Sequence, residues 1–241
     1  MGTKVSYWNL QVALKALLTG GSGTLGAELK KLSGDGIEFY SPSSSECNIL
    51  NRQQIENCFK QMDFDLVVHC AAATNVTEIE KSPLDALETN IVGTINLVRE
   101  CMRHNKKMVF ISTDYVFDGK KGNYSIHDPI NPLSKYAKTK AAAELAVRTC
   151  DNSLVIRTSF YGYQFPYEKA FVDQWTSKNY VDMIAPKVLN IIKSDKTGIA
   201  HIGFPRKSVY EIALERREDV EPISRSSIHF EVPCDTSFKE E

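Results

Sequence analysis

Short apolar runs alternate with longer stretches of helical spacing along this chain. The run "LKALLTGG" (14–21) stops at glycines and predicts a strand, and "TLGAELKKL" (24–32) continues as a helix. "GIEFYS" (36–41) predicts a second strand, "NRQQIENCFKQM" (51–62) a helix, and "DLVVHCAAA" (65–73) a third strand, apolar almost throughout. "PLDALETNIVGTINLVRECMRHN" (83–105) is a long amphipathic helix, and "KMVFIST" (107–113) a fourth strand. "LSKYAKTKAAAELAVRTC" (133–150) predicts a helix and "SLVIRTSF" (153–160) a fifth strand. Strands alternating with helices imply a parallel sheet with right-handed crossovers. Near-continuous apolar strands fit a sheet covered on both faces. The expected fold is α/β, a doubly wound parallel sheet. Past residue 160 the pattern weakens to a helix at 180–194, a strand at 198–203, a helix at 207–218 and an irregular tail. A larger domain over 1–160 is therefore expected, with a small lobe over 161–241 partly integrated with it and laid over the strand ends.

The 241 residues are 42% hydrophobic and 24% charged, which suits that size of core. A net charge of −1 provides no field to recruit nucleic acid or an acidic membrane, so neither is expected as a partner. No apolar run approaches the ~20 residues needed to span a bilayer. The start "MGTKVS" fits the N-myristoylation pattern, but the pattern is short and is taken as chance. Cys47, Cys58, Cys70, Cys101, Cys150 and Cys234 form no C-x-x-C pair or tight Cys/His cluster. Reduced thiols in a cytoplasmic protein without a metal are the expectation. "NVT" at 75 and "NYS" at 123 match glycosylation acceptors but carry little weight without a secretory signal.

"TGGSGTLG" places Gly20, Gly23 and Gly26 between the first strand and the first helix. Glycines there let backbone approach a pyrophosphate, and the helix N-terminus offers free N–H groups. With Ser22, Thr24 and Leu25 the loop is a candidate dinucleotide site on a Rossmann-type sheet; the bland alternative is a plain strand-to-helix turn. An acidic residue closing the second strand would hold a ribose 2′-OH. Here the strand runs into Ser41, Ser43 and Ser44, with Glu46 late and no arginine. NADP(H) is expected over NAD(H).

"SKYAKTK" puts Tyr136 four residues before Lys140, on one helix face. Lysine-rich helices produce such pairs by chance, so the context has to decide. The motifs "TGGSGTLG", "HCAAATNV", "ETNIVGT", "ISTDYVFDG", "NPLSKYAKTKAAAE" and "VIRTSF" supply it. In order and spacing the chain resembles the extended short-chain dehydrogenases/reductases, and most of all their dTDP-4-dehydrorhamnose reductase branch. It is shorter than typical members, and the loss falls in the substrate lobe.

The resemblance implies roles. Tyr136 would protonate a ketone oxygen, Lys140 would lower the phenol's pKa and hold the nicotinamide ribose, and Thr113 would bind the carbonyl oxygen, with Ser112 as a possible stand-in. Asn90 would support the lysine, and Ala71 and Ala72 would lie against the cofactor. Asn90 could equally be an ordinary helix-face residue and the alanines ordinary core. Asp114 orients a loop or fills a turn, Lys138 is a solvated charge, and His69 a satisfied core histidine. Related dehydratases carry Asp-Glu where this chain has Asp114-Tyr115, and related epimerase-reductases a nearby cysteine, so a simple ketone reductase is favoured. Its substrate would be a 4-keto-6-deoxy nucleotide sugar, and a homodimer is allowed. Residues 170–182 would wall the pocket, with Arg157, Lys169 and Arg206 as candidate phosphate contacts. The alternative is a dinucleotide-binding regulatory subunit similar to that of methionine adenosyltransferase.

Overall fold

The computed structural model describes residues 13–227 and 232–239. The pattern at 1–6 and part of the irregular tail lie outside the described residues.

Six strands form one parallel sheet: β1 (Leu14–Thr19), β2 (Ile37–Tyr40), β3 (Leu66–His69), β4 (Lys107–Ser112), β5 (Ser153–Arg157) and β6 (Gly198–His201). Their spatial order is β6-β5-β4-β3-β1-β2. Helices α1 (Thr24–Lys31), α2 (Arg52–Gln61), α3 (Val76–Lys81), α4 (84–103), α5 (Lys135–Val147), α6 (Val181–Ile192) and α7 (Val209–Leu214) complete the chain.

Alternation along the strands builds two cores, because successive side chains point to opposite faces. Leu18, Val68, Val109, Ile111 and Ile156 pack with Leu29 of α1 and with Ile184 and Val188 of α6. Leu17, Val67, Phe110 and Val155 face the other way, onto Ile55 of α2, Leu97 of α4 and Val147 of α5. Full burial of each such side chain contributes roughly 1.5–3 kcal/mol. Chain order reverses at β1, whose neighbours are β2 and β3, so a crevice opens beyond their carboxyl ends.

The structure departs from the sequence pattern where the chain meets that crevice. β3 ends at His69 instead of running to Ala73, and Cys70, Ala71 and Ala72 line the crevice. Helix α3 has no counterpart in the pattern. Asn75 starts it, its side chain accepting the Glu78 N–H at 3.3 Å. Helix α4 carries a π-turn over Leu87–Val92. Beyond β5, short strands Phe160–Tyr161, Lys169–Phe171, Trp175–Thr176 and Asn179–Tyr180 precede α6. They are too short to leave a periodic signal. The helix expected at 207–218 covers only Val209–Leu214 and opens with a capping box of Ser208 and Glu211. Among the described residues no helix is long and apolar enough to cross a membrane.

Candidate active site

Two connected cavities, about 480 and 720 Å³, occupy the crevice and share Gly20, Gly23, Cys70 and Ala72. The glycines shape this junction. Gly20 has φ +74°, and a Cβ there would stand 2.4 Å from the Ala71 nitrogen. At Gly26 a Cβ would stand 2.3 Å from the Gly20 oxygen, so loop and helix are packed backbone to backbone. Gly23 caps α1 without a side-chain hydrogen bond, which leaves the first-turn amides open to the cavity. Those amides and the helix dipole suit an anionic ligand. Ser22, Ser41 and Ala71 line the larger cavity; Thr24, Leu25 and Gly26 line the smaller.

The smaller cavity also holds Thr113, Tyr136 and Lys140. Thr113 follows β4 and its hydroxyl accepts the Tyr115 N–H at 3.2 Å, which fixes the turn. Ser112 is not interchangeable with it, because its hydroxyl donates to Glu144 at 2.8 Å. Lys140 is buried beneath Tyr136 on α5. Its ammonium donates to the Ile111 carbonyl at 2.8 Å and lies 4.1 Å from the Phe110 ring centroid. Burial pushes its pKa down to about 8, so the charge is easily lost.

Tyr136 differs from the expectation of a lowered pKa. Burial dominates and pushes the phenol up to about 12. The Thr113 hydroxyl and the Lys178 ammonium favour the phenolate, while the Asp114 carboxylate and Tyr115 oppose it.

Asn90 is buried in the π-turn of α4, outside both cavities. It clamps Ala73 through both backbone groups, at 2.8 and 3.0 Å, and donates to Thr139 of α5 at 2.9 Å. It therefore ties the loop after β3 to the helix that carries Tyr136. His69 is enclosed, its ring bonded to Thr19 at 2.7 Å and to Thr94 at 2.9 Å. Asp114 is buried and accepts from Thr176 at 3.1 Å, from Thr236 at 2.7 Å and from Ser159. It joins the turn after β4 to three distant segments.

The candidate phosphate contacts are not brought to the cavity. Arg157 is fully buried and paired with Glu144; Lys169 pairs with Glu221 and Arg206 with Asp235. Lys178 takes their place in the cavity wall, 5.1 Å from the Tyr115 ring centroid and 4.9 Å from that of Tyr161. Sequence reading includes it in the expected wall, 170–182, without singling it out, because it sits between two-residue strands that carry no periodicity. Lys30 of α1 also lines the larger cavity, and its helical spacing alone reads as solvated surface. Among the described residues no cluster of His, Cys, Asp and Glu could hold a metal ion.

A family model described as RmlD substrate binding domain matches residues 14–197. A dTDP-4-dehydrorhamnose reductase from Aggregatibacter actinomycetemcomitans is 35% identical over 159 residues, covering 63% of this chain and 54% of that protein. Methionine adenosyltransferase 2 subunit beta from Danio rerio is 30% identical over 152 residues, 59% of this chain and 46% of that one. The chain thus spans about half the length of the curated relatives it matches. A crystal structure of a dTDP-4-dehydrorhamnose reductase from Clostridium acetobutylicum superimposes with a TM-score of 0.85 at 27% identity, covering 93% of this chain and 90% of that one.

Proposed function

The chain belongs to the RmlD substrate binding domain family, and from that premise we propose that it is an NADP(H)- or NAD(H)-dependent reductase of a 4-keto-6-deoxy nucleotide sugar. The observation that carries this is the convergence of Thr113, Tyr136 and Lys140 on one cavity that opens onto the glycine loop. A dinucleotide suits that loop, because its glycines pack loop and helix backbone to backbone and Gly23 leaves the first-turn amides of α1 uncovered by a side-chain cap. Ser22, Gly23 and the open amides of α1 would hold its phosphates, and Ser41, Ala71 and Ala72 would flank its adenosine half. When bound, the nicotinamide supplies the hydride.

The chain's own residues manage the proton. Thr113 accepts from a backbone amide at 3.2 Å and donates weakly to Asp114 at 3.3 Å, and its O–H would turn from Asp114 to a ketone oxygen. Tyr136 stands beside it and transfers its phenolic proton to that oxygen as negative charge develops. A phenol held near 12 keeps its proton until then. The phenolate formed is stabilised by Thr113 and the Lys178 ammonium. Lys140 lies one turn deeper, anchored to Ile111, where its remaining N–H donors suit the nicotinamide ribose hydroxyls.

Likeness to the methionine adenosyltransferase subunit favours a second reading, a dinucleotide-binding regulatory chain. NADPH oxidation with a panel of keto-sugar nucleotides separates the two. Turnover that is lost in Tyr136→Phe supports the reductase. Tight dinucleotide binding without reduction of any member of the panel supports the regulatory chain.

A further inference from the structure

No carboxylate lines the smaller cavity among the described residues. The charged side chains in its wall are Lys140 and Lys178, both cations. Lys140 is accounted for, since its ammonium donates to the Ile111 carbonyl at 2.8 Å. Lys178 is different. Its backbone N–H donates to Thr176 at 3.1 Å and fixes the main chain. Its ammonium lies 5.1 Å from the Tyr115 ring centroid and 4.9 Å from that of Tyr161, and makes no ion pair or hydrogen bond among the described residues. The carboxylate of Asp114 attracts it, but that group accepts from the hydroxyls of Thr176, Thr236 and Ser159 instead. Burial works against the charge, while Tyr115, Tyr161 and Asp114 favour it, and the net effect holds the pKa above the usual lysine value. Two rings thus place a lasting cation whose three N–H donors are free. In a cavity wall without acids, that group is set to meet an anion.

Tyr167 lines the same cavity with 61% of its surface exposed, so it stands at the mouth. Its backbone carbonyl accepts from Arg217 at 2.9 Å, and its ring meets that of Phe165 edge to face at 5.6 Å. An anchored, exposed ring near a free cation suits a nucleobase and the phosphates attached to it, because every base has a face that stacks.

We propose that Lys178 and Tyr167 form the subsite for the nucleoside diphosphate of the substrate, with the ammonium on the diphosphate and the Tyr167 ring against the base. This rests on the reductase reading above and deepens it. In a 4-keto nucleotide sugar the diphosphate leaves carbon 1, across the hexose ring from the ketone. With the ketone at Thr113 and Tyr136, the hexose spans the inner cavity, the diphosphate meets Lys178 and the base continues to the mouth.

The test uses the full chain saturated with NADP+, so that the glycine loop is filled. Calorimetry then follows thymidine, uridine and guanosine 5′-diphosphates and inorganic pyrophosphate. At least one nucleoside diphosphate is expected to bind the parent, less tightly as salt rises, with pyrophosphate weaker. Lys178→Met should weaken both kinds of ligand at least about tenfold, and Lys178→Arg should keep most of the affinity. Should Lys178→Met not fold, Lys178→Gln reads the same loss. Tyr167→Ala should weaken the nucleoside diphosphate and leave pyrophosphate unchanged, whereas Tyr167→Phe should match the parent. Parent-like diphosphate affinity without the Lys178 ammonium, or parent-like nucleotide affinity in Tyr167→Ala, overturns the subsite and leaves the reductase reading standing. If no nucleoside diphosphate binds the parent, the nucleotide-sugar substrate itself falls and the subsite with it.

Discussion

Replacing Glu144 by alanine tests what holds the helix that carries Tyr136 and Lys140 in place. Positions 136, 140 and 144 are spaced by four and share one face of α5. Glu144 is 0% and Arg157 1% exposed. The guanidinium of Arg157 meets the carboxylate at 2.5 Å and 3.2 Å, and Ser112 donates to it at 2.8 Å. One pair thus ties α5 to the ends of β4 and β5. Removing only the acid leaves a buried cation without a partner, which costs about 3–5 kcal/mol. For a chain of this size each kcal/mol moves the melting temperature by roughly 2–4 °C, so a fall of roughly 6–20 °C is expected. Urea denaturation and thermal melts followed by circular dichroism measure it. The double variant Glu144→Leu with Arg157→Met removes both charges and should recover much of the loss. A Glu144→Ala protein within about 1 kcal/mol of the parent would refute the buried pair as the anchor of α5.

Tyr136→Phe should preserve fold and dinucleotide affinity while lowering turnover ~10²–10⁴-fold; an unchanged rate would remove Tyr136 as the acid. Lys140→Met should lower turnover and also weaken dinucleotide binding, so calorimetry distinguishes it from its neighbour one turn away. Gly23→Val projects a branched side chain into the cavity and should abolish dinucleotide binding with little change in melting temperature; parent-like affinity would withdraw the phosphate-loop assignment. Burial holds His69 near 3, below its ordinary 6.5, so it stays neutral in the fold while the unfolded chain takes up a proton. Stability should therefore fall as pH drops from 6.5 towards 3, by about 2 kcal/mol between pH 7 and 5 from this group, and His69→Gln should flatten that dependence in denaturant titrations.

The local sequence determined the repeating part of the molecule. β1 to β5, with α1, α2, α4 and α5, follow from apolar runs and helical spacing, because a strand buried on both faces and an amphipathic helix each leave a periodic mark. The glycine loop, Thr113, Tyr136 and Lys140 were legible for a similar reason: each is a short motif placed at a strand end or helix start that the pattern already located. Tertiary structure decided what depends on partners far along the chain. Whether Arg157 reaches a ligand or a core carboxylate turns on Glu144, and Asn90 acts through Ala73 and Thr139 rather than in the cavity. Asp114 gathers hydroxyls from Ser159, Thr176 and Thr236, up to 122 positions away. Lys178 lay within the expected pocket wall, 170–182, but nothing in its neighbours' spacing singled it out. Only the fold of short strands around Tyr115 and Tyr161 turned the Lys178 ammonium into the cavity wall. A side chain's environment is set by non-local packing, and periodicity along a sequence records only the local half of it.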